Sequence, residues 1–291
     1  MEEKNNIVLG ADIGGSHITT ALIDLTEHKI LDYTFVRKRV DSHAPAEEII
    51  ASWSDTIKES IALGDAKVNQ FGLAMPGPFD YENGISKMKD NAKFESLYNL
   101  NVKTLLGANL NVQSAQIKIT NDAGCFLRGE VFCGAAKGFA HAIGVTLGTG
   151  LGTAKYHNGN AEDADLWSLP FKNSIAEDYI SSRWFVNSYN ERTGNNIKDV
   201  KELASLYALD QTVVSIFNEF GENLALFLNE FIRQENPEVI ILGGNIAQAY
   251  SFFEHSLKDN LPKVAIKVSA LGEAAALLGA GSLWDSKYEK N

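Results

Sequence analysis

Two short glycine-rich turns of nearly the same construction stand far apart in this chain. They are Gly10-Ala11-Asp12-Ile13-Gly14-Gly15-Ser16 and Gly144-Val145-Thr146-Leu147-Gly148-Thr149-Gly150-Leu151-Gly152. Each follows a short apolar run, residues 7–10 and 142–147, that reads as a buried strand. Glycines directly after such a strand let consecutive backbone N–H groups approach an anion. One turn of this kind reads first as a plain hairpin, whereas two, the first carrying an acid, read as a device that grips a phosphate chain. A chain that writes strand, glycine turn and strand twice is internally duplicated, and this constrains its fold more than any other feature.

The length of 291 residues suits two domains of ordinary size with room for a site between them. A net charge of −11 argues against nucleic acid as a partner, and means that a polyanionic substrate must be held by local groups against the long-range field. No apolar run approaches the roughly 18 residues needed to span a bilayer, so no membrane partner is expected. Residues 1–6 are acidic and polar without the features of a signal peptide, which gives a cytoplasmic expectation. Cys125 and Cys133 lie on one expected helix, too far apart along its axis to bridge, and read as free thiols. Cys-x-x-Cys and paired-His patterns are absent from the sequence, so no zinc site is expected. The sequence also lacks a Gly-x-Ser-x-Gly elbow and a P-loop signature.

Along the chain, residues 7–12, 18–25 and 30–40 read as a three-stranded meander. Pro45 then opens an amphipathic helix that buries Ile49, Ile50, Trp53, Ile57 and Ile61 and stops at Gly64. A strand at 70–75 runs into Pro76-Gly77-Pro78, a polar loop covers 80–93, and 97–110 is helix-like. A short strand at 117–120 ends at Asn121-Asp122, before a helix over 123–136. The second half restarts with strands 141–147 and 152–156, an acidic loop over 159–172, and helices over 175–190 and 212–233. A strand at 239–242 enters Gly243-Gly244-Asn245, and an Ala- and Gly-rich helix over 272–284 calls for close packing against another element. Trp184, Phe185 and Tyr189 are either an exposed aromatic patch, which would suit a homodimer, or core.

Three places carry candidate chemistry. Asp12 is either a turn-forming residue or a carboxylate able to hold hydrated Mg2+ beside cradled phosphates. Asp122 is either the N-cap of the following helix or a base able to take a proton from an alcohol attacking phosphorus. Gly243-Gly244 is either a tight turn or a flat seat for a ring.

Together these residues resemble the sugar kinases of the ROK family, within the wider group of hexokinase-, actin- and Hsp70-like phosphotransfer folds. Asp12-Ile13-Gly14-Gly15-Ser16 resembles the first phosphate motif, Pro76-Gly77-Pro78 the Pro-Gly-Pro turn, and Asn121-Asp122-Ala123 the catalytic segment. Leu147-Gly148-Thr149-Gly150-Leu151-Gly152 resembles the second phosphate motif, and Leu242-Gly243-Gly244-Asn245 the adenosine motif. The resemblance implies an α/β fold, a duplicated ribonuclease-H-like (actin-like ATPase) fold of two lobes with an interdomain cleft. Residues 1–122, completed by the C-terminal helix 272–291, would form the N-terminal lobe, and 123–271 the other. It implies transfer of the γ-phosphate of ATP, with Mg2+, to a hydroxyl of a hexose or related sugar, with Asp122 as general base. Asp12, Gly14, Gly15, Ser16, Gly148, Thr149, Gly150 and Gly152 would hold phosphate and Mg2+. Gly243, Gly244 and Asn245 would hold adenosine, and Asn91, Asn121, Asp122, Glu162 and Asp165 the sugar.

One segment departs from the family. A Gly-Glu-x-Gly-His stretch, followed in many members by zinc-binding cysteines, is here Ala161-Glu162-Asp163-Ala164-Asp165, with no cysteines after it. Glu162 stands for the glutamate, but Asp165 replaces the histidine with a shorter group that only accepts hydrogen bonds when ionised, so a shift of sugar preference is expected. The zinc-free pattern also resembles polyphosphate-using glucokinases, which makes polyphosphate an alternative donor. Two other readings are a sugar-responsive regulator, against which stand the net charge and the six residues before the first strand, and a sugar-binding protein without activity.

Overall fold

The computed structural model describes residues 6–89 and 93–288, and the chain divides into two compact units. The first comprises Met1–Lys137, Gly159–Glu162 and Glu273–Asn291, and the second Gly138–Asn158 and Asp163–Gly272.

In the first unit the run around Gly14-Gly15 folds as an antiparallel hairpin of β1 (Ile7–Ile13) and β2 (His17–Asp24). The expected third strand is split into β3 (Lys29–Ile30) and β4 (Val36–Arg39) by a 3-10 turn at Asp32–Thr34. Thr34 causes the break: its hydroxyl accepts the Leu22 N–H at 2.9 Å and donates to the Leu31 carbonyl at 2.6 Å. Helix α1 (Ala46–Gly64) buries Ile49, Ile50, Trp53 and Ile57, with Pro45 at its N-cap and Asp65 left-handed at its C-cap. Then come β5 (Phe71–Met75), a small pair β6 (Phe79–Asp80) and β7 (Ile85–Ser86) inside the expected polar loop, α2 (Val102–Leu110) and β8 (Ile117–Asn121). The sheet runs β3-β2-β1-β5-β8 with β4 also on β2, and β5 lies parallel to both β1 and β8. Helix α3 (Asp122–Cys133) leaves directly from β8 and carries the two cysteines as free thiols.

The second unit repeats this plan. Its hairpin is β9 (His141–Leu147) and β10 (Leu151–His157), turning at Gly148–Gly150. The short β11 (Asn160–Asp163) and the pair β12 (Pro170–Phe171) and β13 (Ser174–Ile175) follow. The expected 175–190 helix is two, α4 (Ala176–Tyr179) and α5 (Ser182–Thr193). Next are α6 (Val200–Ser205), α7 (Gln211–Glu235), β14 (Val239–Gly243), α8 (Tyr250–Asp259) and β15 (Ala265–Val268). The order β10-β9-β14-β15, with β14 parallel to β9 and to β15, matches β2-β1-β5-β8, so the duplication holds strand for strand. Trp184, Phe185 and Tyr189 sit in the core of this unit with Phe217 and Phe220, because α5 turns that face onto α7. Their aromatic rings therefore give no surface for a homodimer.

The chain then returns to the first unit as α9 (Ala274–Gly281), the small-residue helix. A Cβ at Gly129 of α3 would lie 2.0 Å from the Ala275 carbonyl oxygen, and one at Gly72 of β5 would lie 1.8 Å from that of Ala280. Backbone therefore meets backbone on both sides of α9, as its composition required. Buried Arg128 of α3 locks the same contact, donating to the Ser282 hydroxyl at 2.9 Å, the Ser282 carbonyl at 3.1 Å and the Gly159 carbonyl at 3.1 Å. This packing keeps α3 with the first unit, so the division falls after Lys137 rather than after Asp122.

Candidate active site

In the first unit, Asp12 lies near the end of β1, where it pairs with Thr19 of β2 on one side and Ala74 of β5 on the other. Burial pushes its carboxyl up to about 6, the charge of Asp122 adds to the rise, Arg37 opposes it, and Glu273 adds a smaller increment. Arg37 and Glu273 form an ion pair at 2.8 Å. A carboxyl whose ionisation is made costly by burial and by a neighbouring acid makes a site that favours a cation.

Asp122 is the first residue of α3, and the helix is capped by its neighbour instead. The Asn121 side-chain oxygen accepts the Gly124 N–H at 3.1 Å, and its Nδ2 donates to the Tyr81 hydroxyl at 3.3 Å, which in turn donates to the Met75 carbonyl at 3.1 Å. The cap reading of Asp122 is thus overturned: Asn121 satisfies the helix terminus, and Asp122 stays exposed with Oδ1 accepting the adjacent Ala123 N–H at 2.9 Å. Asn121 itself is buried, with both ends of its amide engaged.

The first glycine turn is less open than its sequence implies. The Gly14 N–H closes the hairpin onto the His17 carbonyl at 2.9 Å, and the Ser16 hydroxyl lies 3.0 Å from His17 Nδ1. A Cβ at Gly15 would come within 3.3 Å of the Lys93 side chain. Glu162 is exposed, accepts from Asn160 Nδ2 at 3.3 Å, and lays its backbone against Gly124, where a Cβ would be 3.4 Å from its Cα. The first turn of α3 thus gathers Asn121, Asp122 and Glu162, and Asp12 senses Asp122. Asn91 lies outside the described residues.

In the second unit the glycine turn folds on itself, with the Gly148 N–H on the Gly150 carbonyl at 3.1 Å and the Ser182 N–H on the Gly148 carbonyl at 2.8 Å. Gly244, at φ +82°, presses against the end of β9, where a Cβ would lie 2.3 Å from the Leu147 carbonyl oxygen. The two glycine motifs of this unit are therefore in direct contact. Gly152 and Gly243 are ladder residues flanking Thr146. Beside them opens a cavity of about 610 Å3 lined by Gly148, Thr149, Asn245, Ile246, Lys201 and Phe252 among others. Apolar walls with a few polar groups at a strand-to-helix junction are the common setting for a small-molecule ring.

One acid in this unit escaped the sequence reading. Glu177 of α4 accepts the Leu151 N–H at 3.0 Å, is held by Arg183 at 2.9 Å, and stands where a Cβ at Gly150 would be 2.7 Å from its Oε2. No motif marks it, because its place depends on how α4 folds back onto the turn. Asp165, left-handed at φ +51°, accepts the indole N–H of Trp167 at 2.9 Å.

The family model described as ROK family matches residues 8–163, from the first glycine motif through β11. The chain belongs to the ROK family. An N-acetyl-D-glucosamine kinase of Mannheimia succiniciproducens is 25% identical over 97% of this chain and 100% of its own length. A glucokinase of Thermotoga maritima is 24% identical over 95% of this chain and 96% of its own. Among solved structures, a ROK family glucokinase from Streptomyces griseus in complex with glucose and AMPPNP superimposes with a TM-score of 0.75 at 19% identity, covering 95% of this chain and 98% of that one. The ROK fold and its duplicated sheets are therefore common ground.

Proposed function

We propose that this protein is a sugar kinase that moves the γ-phosphate of ATP to a hydroxyl of a hexose or an N-acetylated hexosamine, with Asp122 as general base. The observation that carries the proposal is the capping of α3 by Asn121, which leaves the Asp122 carboxylate exposed beside Asp12 and Glu162. The kinases among the relatives supply the substrate class. In this reading the sugar oxygen bonds to the γ-phosphorus as its proton passes to Asp122, the bond to the β-phosphate oxygen breaks, and ADP leaves. Glu162 accepts from sugar hydroxyls, and Asn121 acts chiefly by fixing the helix terminus from which Asp122 projects.

Mg2+ fits the first unit on its own evidence of charge: Asp12 is a half-buried carboxyl pushed up to about 6 by burial and by the charge of Asp122, so a cation there offsets its cost of ionisation. Asp12 would hold it, and when bound Mg2+ supplies charge neutralisation on the phosphate oxygens.

A nucleoside donor is favoured over polyphosphate by the cavity beside Gly148, Thr149 and Asn245, whose apolar residues Ile246 and Phe252 suit a base and ribose rather than an anionic chain. The Streptomyces griseus protein, captured with AMPPNP, is in keeping with this. The test is a coupled assay of glucose, mannose, N-acetylglucosamine and N-acetylmannosamine against ATP and against polyphosphate. Phosphorylation of at least one sugar with ATP is expected. Product with polyphosphate alone would overturn the donor, and no product in any pairing would overturn the kinase reading.

A further inference from the structure

Trp167 has no role in the chemistry described so far, yet its surroundings are built. It is 43% exposed, unusual for an indole in a well-packed region, whereas Trp53 and Trp184 are buried. Its N–H donates to Asp165 at 2.9 Å, a bond that restrains the ring. Asp165 can do this because its backbone is left-handed, at φ +51°, a conformation that Asp tolerates, and its own N–H is held by Asp163 at 2.8 Å.

The loop beneath is docked at every step. Ala164 N–H donates to the Thr153 carbonyl at 3.0 Å and Leu166 N–H to the Thr153 hydroxyl at 3.0 Å, fastening the loop to β10. Leu166 and Leu169 pack on the core, and the Ala176 N–H returns to the Leu169 carbonyl at 2.9 Å. The decisive link is Glu177. Its backbone N–H donates to the Trp167 carbonyl at 3.0 Å while its carboxylate holds the Leu151 N–H of the second glycine turn. The tryptophan and the phosphate turn are thereby tied through one residue. Trp167 is not among the residues lining the cavity beside Gly148 and Asn245.

We infer that Trp167 is an aromatic platform for the acceptor sugar, and that Asp165 is a positioning residue that fixes the indole rather than a direct ligand of sugar hydroxyls. This rests on the sugar-kinase reading above. A pyranose carries hydroxyls at its rim and C–H groups on its faces, and an acetamido substituent adds a flat amide and a methyl group. An indole face restrained by Asp165 matches the C–H face of such a ring and the flat amide of an acetamido group by apolar contact. It also revises the expectation for Asp165, one of whose carboxylate oxygens holds the indole.

The test reads sugar binding and turnover separately. In wild type, titration with glucose and with N-acetylglucosamine, without a donor, should change tryptophan emission, and Trp167→Phe should abolish that change although Trp53, Trp184 and Trp284 still emit. In the coupled assay Trp167→Ala should raise the sugar KM by roughly tenfold or more with the ATP KM within about twofold. Trp167→Phe, which keeps a ring, should recover part of the loss. Asp165→Asn, which retains an acceptor and tolerates the left-handed backbone, should keep more sugar affinity than Asp165→Ala. The inference is overturned if Trp167→Ala leaves the sugar KM unchanged in an active enzyme, or if neither sugar alters emission. An emission change without any turnover would instead sustain the platform and overturn the kinase reading.

Discussion

The two glycine turns grow from the same topology and keep different company. Each closes a hairpin whose first strand has a parallel neighbour, β5 beside β1 and β14 beside β9. The first turn is surrounded by charge: Asp12, its carboxyl pushed up by burial and by Asp122, and the ion pair of Arg37 with Glu273. The second is bordered by space, a cavity of about 610 Å3 whose lining includes Asp199 and Lys201, and by Glu177, fixed from two sides. Duplication supplied two equivalent scaffolds, and the elements inserted after each decided its task. In the first unit α3 delivers acids, whereas in the second α6 and the turn after β14 contribute Lys201, Asn245 and Ile246 to the cavity wall. The proposed division of labour is a charge-handling turn in one unit and a donor-holding turn in the other.

The comparison can be broken by substitution. Asp122→Asn should lower kcat by about 10²- to 10⁴-fold, the scale of a lost general base. Thermal melting should be almost unmoved, because Asn121 caps the helix; a kcat near wild type would remove Asp122 from the chemistry. Next in size is Gly244→Ala. A Cβ at φ +82° and 2.3 Å from the Leu147 carbonyl oxygen forces the two glycine motifs apart. The expected cost is about 1–3 kcal/mol, seen as roughly a 10- to 100-fold rise in the ATP KM, a lower melting temperature, or both.

Asp12→Asn should act in opposite directions on stability and on activity. A carboxyl raised from 3.8 to about 6 binds its proton more tightly in the folded state, so protonation favours folding below about pH 4, and that advantage is lost as pH rises through 6. Above pH 6 the ionised Asp12 is a constant penalty without metal. Asp12→Asn should therefore stabilise the metal-free protein at pH 8 by about 1–3 kcal/mol while turnover with MgATP falls. Melting curves at pH 5 and pH 8 check this, and a variant no more stable than wild type at pH 8 would contradict it. Smallest is Asn121→Ala, which removes the cap of α3 and should cost about 1 kcal/mol in chemical denaturation.

Much of this was legible in the chain because it is local. The hairpins at 7–24 and 141–157, the helix opened by Pro45, and the close packing asked for by the small residues of α9 follow from neighbouring residues. The rest depends on contacts distant in sequence. The break between α4 and α5 falls where the Ser182 N–H is captured by the Gly148 carbonyl, a bond that no local pattern announces. Helix α6 is six residues long, too short to display a period, and β15 is a four-residue edge strand. At the site, Asn and Asp side by side are both good caps, and local sequence could not choose between them. Only the fold shows Asn121 on the Gly124 amide. Glu177 was invisible because it meets the glycine turn from 26 residues away, whereas the pairing of Asp165 with Trp167 is local but depends on a left-handed backbone at Asp165 that no pattern announces.

The division of labour between the two turns is tested most directly by titrating AMPPNP with Mg2+ into wild type, Asp122→Asn and Gly244→Ala by calorimetry, with turnover measured on the same preparations. The account predicts that Asp122→Asn binds the nucleotide within about twofold of wild type while its turnover collapses, and that Gly244→Ala loses nucleotide affinity. Equal loss of nucleotide binding in both variants, or unchanged binding in Gly244→Ala, would contradict it.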